Sequence, residues 1–271
     1  MNKPARLLAL LLASLICSCT LDGWGWFWSS DVDDRFRDNL DLPEPADISP
    51  AGDFSFIVIA DTHVLAGKDT ASVFLDLQSR LAPGPGGDRF VLVCGDVSQN
   101  GARGDLETFA SQSSGLGIPV YSVPGNHDLY RGGWPNYRDV LGRSMYAFSA
   151  GPVRVIAMDS ANGTLGALQR DWLEEALAGR SETYCVTLTH FEFFCDVITE
   201  TQAWTDIAEA YSLMNLLETS GVSYHFTGHS HRRLERTING TAYCTAADFT
   251  QSFIRVSVTA GGISHQYIDL D

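Results

Sequence analysis

The residues of this 271-residue chain that suit metal chemistry gather in five short clusters. They are Asp61-Thr62-His63, Gly95-Asp96, Gly125-Asn126-His127-Asp128, His190 and Gly228-His229-Ser230-His231. Five of the seven histidines fall in them; the other two, His225 and His265, read as structural. Imidazole, carboxylate and amide oxygen together suit borderline divalent ions such as Mn, Fe, Zn or Ni better than thiophilic ones. A carboxylate has two oxygens and can hold two ions at once. Two ions about 3.5–4 Å apart can clamp the attacking and leaving oxygens of an in-line displacement.

Each cluster directly follows an apolar, strand-like run: Phe56–Ala60, Phe90–Cys94, Val120–Pro124, Tyr184–Thr189 and Tyr224–Thr227. In α/β sheets, ligands bind beyond the carboxyl ends of the strands, so five such ends can converge on one crevice. In extended backbone, residues i and i+2 point to the same side. That would aim Asp61 with His63, and His229 with His231. The glycines at 95, 125 and 228 permit tight turns and close backbone approach.

The elements behind these clusters alternate from Asp53 onward. Helical spacing covers Thr70–Leu81, Asp105–Ser114, Ala167–Leu177 and Ala203–Leu217, between the strand runs. Tyr146–Phe148 and Val153–Met158 read as a strand pair turning at Gly151-Pro152. The tail from Leu234 to Leu270 adds strands with turns at Asn239-Gly240 and Gly261-Gly262. This alternation implies an α/β fold with parallel pairing, extended by antiparallel strands. Residues 51–271 form a plausible single unit.

The order DxH, GD, GNHD, H, GHxH resembles the calcineurin-like metallophosphoesterase superfamily. The match runs from Asp61 to His231. Each fragment alone is common, but the full set at strand ends is specific. The resemblance implies a two-sheet β-sandwich flanked by helices, a four-layer αββα arrangement. It implies a first metal held by Asp61, His63, Asp96 and His231, and a second held by Asp96, Asn126, His190 and His229, with Asp96 bridging. It gives His127 the role of stabilising the transition state or protonating the leaving oxygen, while a metal-bridging hydroxide attacks phosphorus.

Departures from relatives narrow the class. Gln99 stands where many relatives have an Asp that orients the catalytic His, or a Tyr metal ligand, so a purple iron–tyrosinate site is disfavoured. Asn100 stands where Ser/Thr protein phosphatases have Arg. Gln99 and Asp128 are both candidates to orient His127. The stretch from Gly95 to Asp128 is closest in style to bacterial cyclic-nucleotide phosphodiesterase-like members, which points to small phosphomono- or phosphodiesters. Arg131 and Trp134, directly after the Asn-His-Asp cluster, are candidates to touch a phosphate and stack on a base. The duller reading is a solvated Arg and a packed Trp. The alternative function is a metal-containing surface lipoprotein acting as a non-catalytic binding module. Every ligand position is filled, which favours the enzyme.

The N-terminus has its own message. Lys3 and Arg6 precede an apolar run, Leu7 to Ile16, too short to span a bilayer stably. Ile16-Cys17-Ser18-Cys19 resembles a bacterial lipobox, so residues 1–18 read as a lipoprotein signal peptide and Cys19 as the lipidated mature terminus. An ordinary cleaved signal is the alternative. Residues 19–50, with Pro43, Pro45 and Pro50 and little periodicity, read as an anchor and tether. In them, Trp24-Gly25-Trp26-Phe27-Trp28 suits either a membrane interface or the domain surface. The expected location is an exported, lipid-anchored protein on a bacterial membrane.

Composition agrees. A hydrophobic fraction of 45% supports a packed core, and a net charge of −15 disfavours nucleic acid as a partner. Of the remaining cysteines, Cys94, Cys185, Cys195 and Cys244, none has the paired spacing of a Cys-based zinc site. Cys94 and Cys185 lie in apolar runs and read as buried thiols.

Overall fold

The computed structural model describes residues 30–67, 70–84, 86–194 and 204–270. Its strands in chain order are β1 (Phe54–Ile59), β2 (Asp88–Cys94), β3 (Val120–Val123), β4 (Tyr146–Ala150), β5 (Val153–Ala157), β6 (Tyr184–Leu188), β7 (Tyr224–Thr227), β8 (Leu234–Ile238), β9 (Thr241–Thr245), β10 (Ser252–Thr259) and β11 (Gly262–Asp269). The helices are α1 (Val32–Asn39), α2 (Ala71–Arg80), α3 (Arg103–Ser114), α4 (Trp134–Leu141), α5 (Gly166–Ala178) and α6 (Ile207–Thr219).

The strands make two sheets, one ordered β11-β10-β1-β2-β3 and the other β4-β5-β6-β7-β9-β8. β1, β2 and β3 pair in parallel, as do β5, β6, β7 and β9. Their carboxyl ends therefore point the same way within each sheet.

Alternation along the strands builds the layers. Phe56, Val58, Phe90 and Leu92 meet Phe148, Val155, Val186 and Phe226 between the sheets. Their odd-numbered neighbours Ile57, Ile59, Val91 and Val93 face outward onto Phe74 and Leu77 of α2, Leu106 and Phe109 of α3 and Trp134 and Tyr137 of α4. On the other sheet, Ile156 and Cys185 meet Leu173 and Leu177 of α5 and Leu213 and Leu217 of α6. The near-continuous apolar runs of the sequence are strands covered on both faces, as parallel sheets require. The expected four-layer sandwich is the observed one.

The segment read as a tether is partly folded. Asp31 caps α1, accepting from the Asp33 amide at 2.8 Å. Arg35 on α1 is fully buried and makes a paired ion bridge to Asp159, at 2.7 and 2.8 Å. Asn39 exchanges bonds with Ser144, and Ile48 bridges to Ala150 on the edge strand β4. Residues 30–50 thus pack against the unit read from residue 51. A charged, Pro-containing stretch looks like linker because its stabilising partners lie more than a hundred residues away. The run read as a signal peptide, Cys19, Trp24–Trp28 and Cys195 fall outside the described residues. Among the described residues, no helix is long and apolar enough to cross a membrane.

Candidate metal centre and active site

The site is built on strained backbone. Among the described residues, the non-glycine positions with positive φ include Asp61 (55°), His63 (42°), Asp96 (51°), His229 (71°) and His231 (55°). This region costs an L-residue on the order of 1–3 kcal/mol and persists where packing over-determines it. The backbone at these residues is therefore not extended, contrary to the expectation from strand periodicity. Left-handed turns at the strand ends aim these side chains, not a period of two. The turns are tied together by hydrogen bonds from the Asp61 N–H to the Gly95 carbonyl and from the His63 N–H to the Asp96 carbonyl, at 3.1 and 3.0 Å. Glycine is needed where the turns pack closest. A Cβ on Gly125 would lie 2.1 Å from Asp96 Oδ1, and one on Gly95 would lie 2.6 Å from His190 Nδ1.

The polar atoms fall into two groups that share Asp96. In the first, His231 Nε2 lies 3.6 Å from Asp61 Oδ1, and His63 Nε2 lies 4.0 Å from Asp61 Oδ1 and 3.8 Å from Asp96 Oδ2. The two imidazoles meet at 3.1 Å between their Nε2 atoms. In the second, His190 Nε2 lies 3.0 Å from Asn126 Oδ1 and 3.4 Å from Asp96 Oδ2. The His229 ring sits edge-on to His190 at 5.1 Å and against Phe191 at 4.4 Å, and the His229 amide donates to Asp61. The His229 ring thus lies beside the second group, whereas the His231 ring belongs to the first. The second group is buried, whereas His231 is 45% exposed, so the first group faces the entrance.

Surrounding bonds fix the aim of these groups. The His190 Nδ1–H donates to the Cys94 carbonyl at 2.9 Å, which turns Nε2 toward Asn126 and Asp96. The His190 and Phe191 amides both donate to Ser160 Oγ. His127 donates its amide to Asp96 Oδ1 at 2.9 Å, and its Nδ1–H donates to the Gln99 carbonyl at 2.9 Å. The partner of His127 is therefore Gln99, through its main chain. Asp128 does a different job. It accepts from the Val97, Ser98 and Gly125 amides and from Ser98 Oγ, at 2.7–3.1 Å, and so binds the two catalytic loops to one another.

Electrostatics favour cations here. Burial pushes the Asp96 carboxyl up, but His190, then His127 and His63, hold it far below the usual range. Burial opposes charge on His190, yet the Asp96 carboxylate beside it pulls it up to about 10. Burial lowers His63 despite Asp96 and Asp61. His63 Nδ1 is buried with no hydrogen-bond partner. Three sets of donors, Asp61/His63/His231, His63/Asp96/His127 and Asp61/Asp96/His190, each lie within 4.8 Å of one another. Buried carboxylates flanked by imidazole nitrogens are a donor set for borderline divalent ions.

The two substrate candidates part ways. Trp134 is 3% exposed, packs on Tyr137 and donates its indole N–H to Asp38 at 2.7 Å. It cannot stack on a base, because α4 turns it into the helix–sheet core. Arg131 is exposed at a left-handed turn (φ 56°), directly after Tyr130. Two further residues border the site: Tyr130, whose hydroxyl accepts from Asn126 at 3.0 Å and whose ring lies 4.6 Å from His127, and Asp248, 3.9 Å from His231 Nδ1. Asp248 follows β9, which runs parallel to β7. The strand-end rule that found the other clusters would have found it, had β9 been read as a parallel strand.

A four-layer sandwich whose parallel strand ends converge on two carboxylate–imidazole groups defines a metal-dependent phosphoester hydrolase. Residues 54–233 match the calcineurin-like phosphoesterase family, and the chain belongs to that family. Among curated proteins, it is 24% identical over 202 residues to the 3',5'-cyclic adenosine monophosphate phosphodiesterase CpdA of Escherichia coli K12, covering 67% of this chain and 71% of that one. It is 28% identical over 163 residues to a probable cyclic nucleotide phosphodiesterase of Synechococcus, covering 52% and 60%. Among solved structures, a dimetal phosphatase from Danio rerio superposes with a TM-score of 0.57 at 16% identity, covering 80% of this chain and 99% of that one.

Proposed function

We propose that the chain hydrolyses small phosphomono- or phosphodiesters with two divalent ions bridged by Asp96. The observation that carries this reading is the position of Asp96 Oδ2, 3.8 Å from His63 and 3.4 Å from His190, between the two donor groups. Asp61, His63, Asp96 and His231 would hold one ion, and Asp96, Asn126, His190 and His229 the other. Bound there, the ions supply charge neutralisation on the phosphoryl oxygens and acidify the attacking water.

The rest is done by the chain's own groups. His127 keeps Nδ1–H on the Gln99 carbonyl, so in the imidazolium form its Nε2–H is the one left to give a proton to the leaving oxygen, and the ring returns to the neutral Nδ1–H tautomer. Tyr130 flanks that ring, and Arg131 beside it offers a guanidinium to a phosphate. The relatives named as cyclic-nucleotide phosphodiesterases support phosphodiesters as the first class to test. The lipobox-like run ending at Cys19 supports an exported, membrane-anchored enzyme. Radiolabelled fatty acid should label the chain in cells, and Cys19→Ala should abolish the label.

The decisive assay loads purified chain with Mn and screens p-nitrophenyl phosphate, bis-p-nitrophenyl phosphate and 3',5'-cyclic nucleotides. Turnover of at least one class is expected. A metal-replete, folded chain that cleaves none of them would overturn the reading.

A further inference from the structure

Apart from the dinuclear centre, a second set of metal-binding side chains converges at the rim of the sandwich. Glu235 on β8 is the cross-strand partner of Cys244 on β9, so both side chains leave the same face of that sheet. Cys244 belongs to the inter-sheet core. His265 on β11 pairs with Val256, another inter-sheet residue, and so faces Cys244 from the opposite sheet. The three donor atoms lie within 4.8 Å of one another.

We propose that Glu235, Cys244 and His265 form a separate mononuclear site for a zinc-like divalent ion that staples the edges of the two sheets. The geometry of the donors argues for an ion over a hydrogen-bonded triad. In a nucleophile triad, the imidazole uses one nitrogen for the thiol and the other for the acid. Here both partners address the same atom. His265 Nε2 lies 3.7 Å from Cys244 Sγ and 3.3 Å from Glu235 Oε2. One ring nitrogen has a single in-plane direction and cannot serve both. A tetrahedral zinc, with its usual bond lengths, separates sulfur from nitrogen by about 3.6 Å and nitrogen from oxygen by about 3.4 Å.

The surroundings agree. His265 Nδ1 lies 3.4 Å from the Tyr224 hydroxyl, the outer bond that typically fixes a ligating imidazole with its other nitrogen free. The Tyr267 hydroxyl bonds the Thr245 and Leu234 carbonyls and also reaches the Cys244 sulfur, so it steadies that thiol toward the site. Glu235 is about half exposed, so a fourth position opens to water. Thiolate, imidazole and carboxylate make a softer set than the nitrogen and oxygen donors of the dinuclear centre, which favours zinc over manganese.

That difference supplies the test. Chelator-stripped chain is titrated with cobalt(II) chloride and followed in the near ultraviolet, where a cobalt–thiolate bond absorbs and nitrogen and oxygen ligands do not. The expected result is a thiolate band whose final intensity corresponds to one thiolate-bound ion per chain, which persists in Asp96→Asn and is lost in Cys244→Ser and His265→Gln. Persistence in Asp96→Asn separates this site from the dinuclear one. Circular dichroism verifies the fold of each variant, and His265→Gln decides alone where Cys244→Ser does not fold. Absence of the band in folded wild-type chain, or an undiminished band in either folded variant, overturns the proposal.

Discussion

The Nε2 atoms of His63 and His231 face one another across 3.1 Å. His63 is lowered by burial, while Asp61 raises His231. Two imidazole lone pairs aimed at each other repel unless a cation or a shared proton lies between them. Removing divalent ions should therefore destabilise the fold. A ligand present at a hundred times its dissociation constant adds about 2.7 kcal/mol, which for a domain of this size is about 5–10 °C in melting temperature. Scanning calorimetry before and after chelation should show that drop, with recovery on adding Mn. A midpoint indifferent to both treatments would count against the site as a cation trap.

Asp96→Asn removes the charge shared by the two donor groups while keeping an oxygen for the His127 amide, now 2.9 Å away. Turnover should fall by at least about 10²–10³-fold, the scale for losing a group that stabilises developing charge. The far-ultraviolet spectrum should not change. Retained turnover in this variant would remove Asp96 from the mechanism.

Asp128 tests whether the loops need their tie. Its carboxylate accepts four bonds from Val97, Ser98 and Gly125. Asn in its place offers one acceptor and turns an amide N–H toward backbone donors. Each buried group left unsatisfied costs about 1–3 kcal/mol. Asp128→Asn should lower stability by at least that amount and weaken metal binding, because the same loops carry Asp96 and Asn126. Urea titration and metal dialysis would read both. Unchanged metal affinity would make Asp128 a purely structural residue.

His225 supplies a pH signature outside the metal centre. Thr189 Oγ1 donates to the Phe191 carbonyl, so it accepts from His225 Nε2–H, and Thr187 donates to Nδ1. The ring is thus held neutral, and burial lowers it to about 3. Its folded value lies below its unfolded one, near 6.5. The unfolded chain binds the extra proton, so this stability is complete above pH 6.5 and is lost as pH falls toward 3. Other groups also titrate there, so the comparison is with His225→Gln. Its melting temperature should fall less steeply between pH 6.5 and 4 than that of the wild type. Parallel profiles would refute the assignment.

What the sequence made legible was local. Phe56–Ala60 and Phe90–Cys94 announced buried strands, and their following residues announced a site, because both signals lie within a few neighbours. The left-handed turns at Asp61, Asp96 and His229 were not legible, since Asp and His carry no glycine-like mark of positive φ. Trp134 was legible as a packed side chain, but its partner Asp38, 96 residues away, was not. The same distance in sequence hid the docking of α1, where charge density imitated a linker. Glu235, Cys244 and His265 escaped for the same reason: they meet only after β11 folds across from β9.

The α1 clasp also reaches the site, and Arg35→Met would show it. Arg35 is fully buried and spends its guanidinium on Asp159. The next residue, Ser160, holds the amides of His190 and Phe191. Removing one partner of a buried ion pair leaves the other charge uncompensated, typically at about 3–5 kcal/mol. Arg35→Met should therefore lower the melting temperature by on the order of 10 °C and loosen the loop that positions His190. Replacing both partners, in Arg35→Met with Asp159→Leu, should recover much of the stability, because no lone charge then remains. It should not fully recover metal affinity, since Asp159 also accepts from the Ala161 amide and helps shape the Ser160 turn. A segment that were only a tether would show neither effect: its Arg could be changed with no shift in melting or in metal titration.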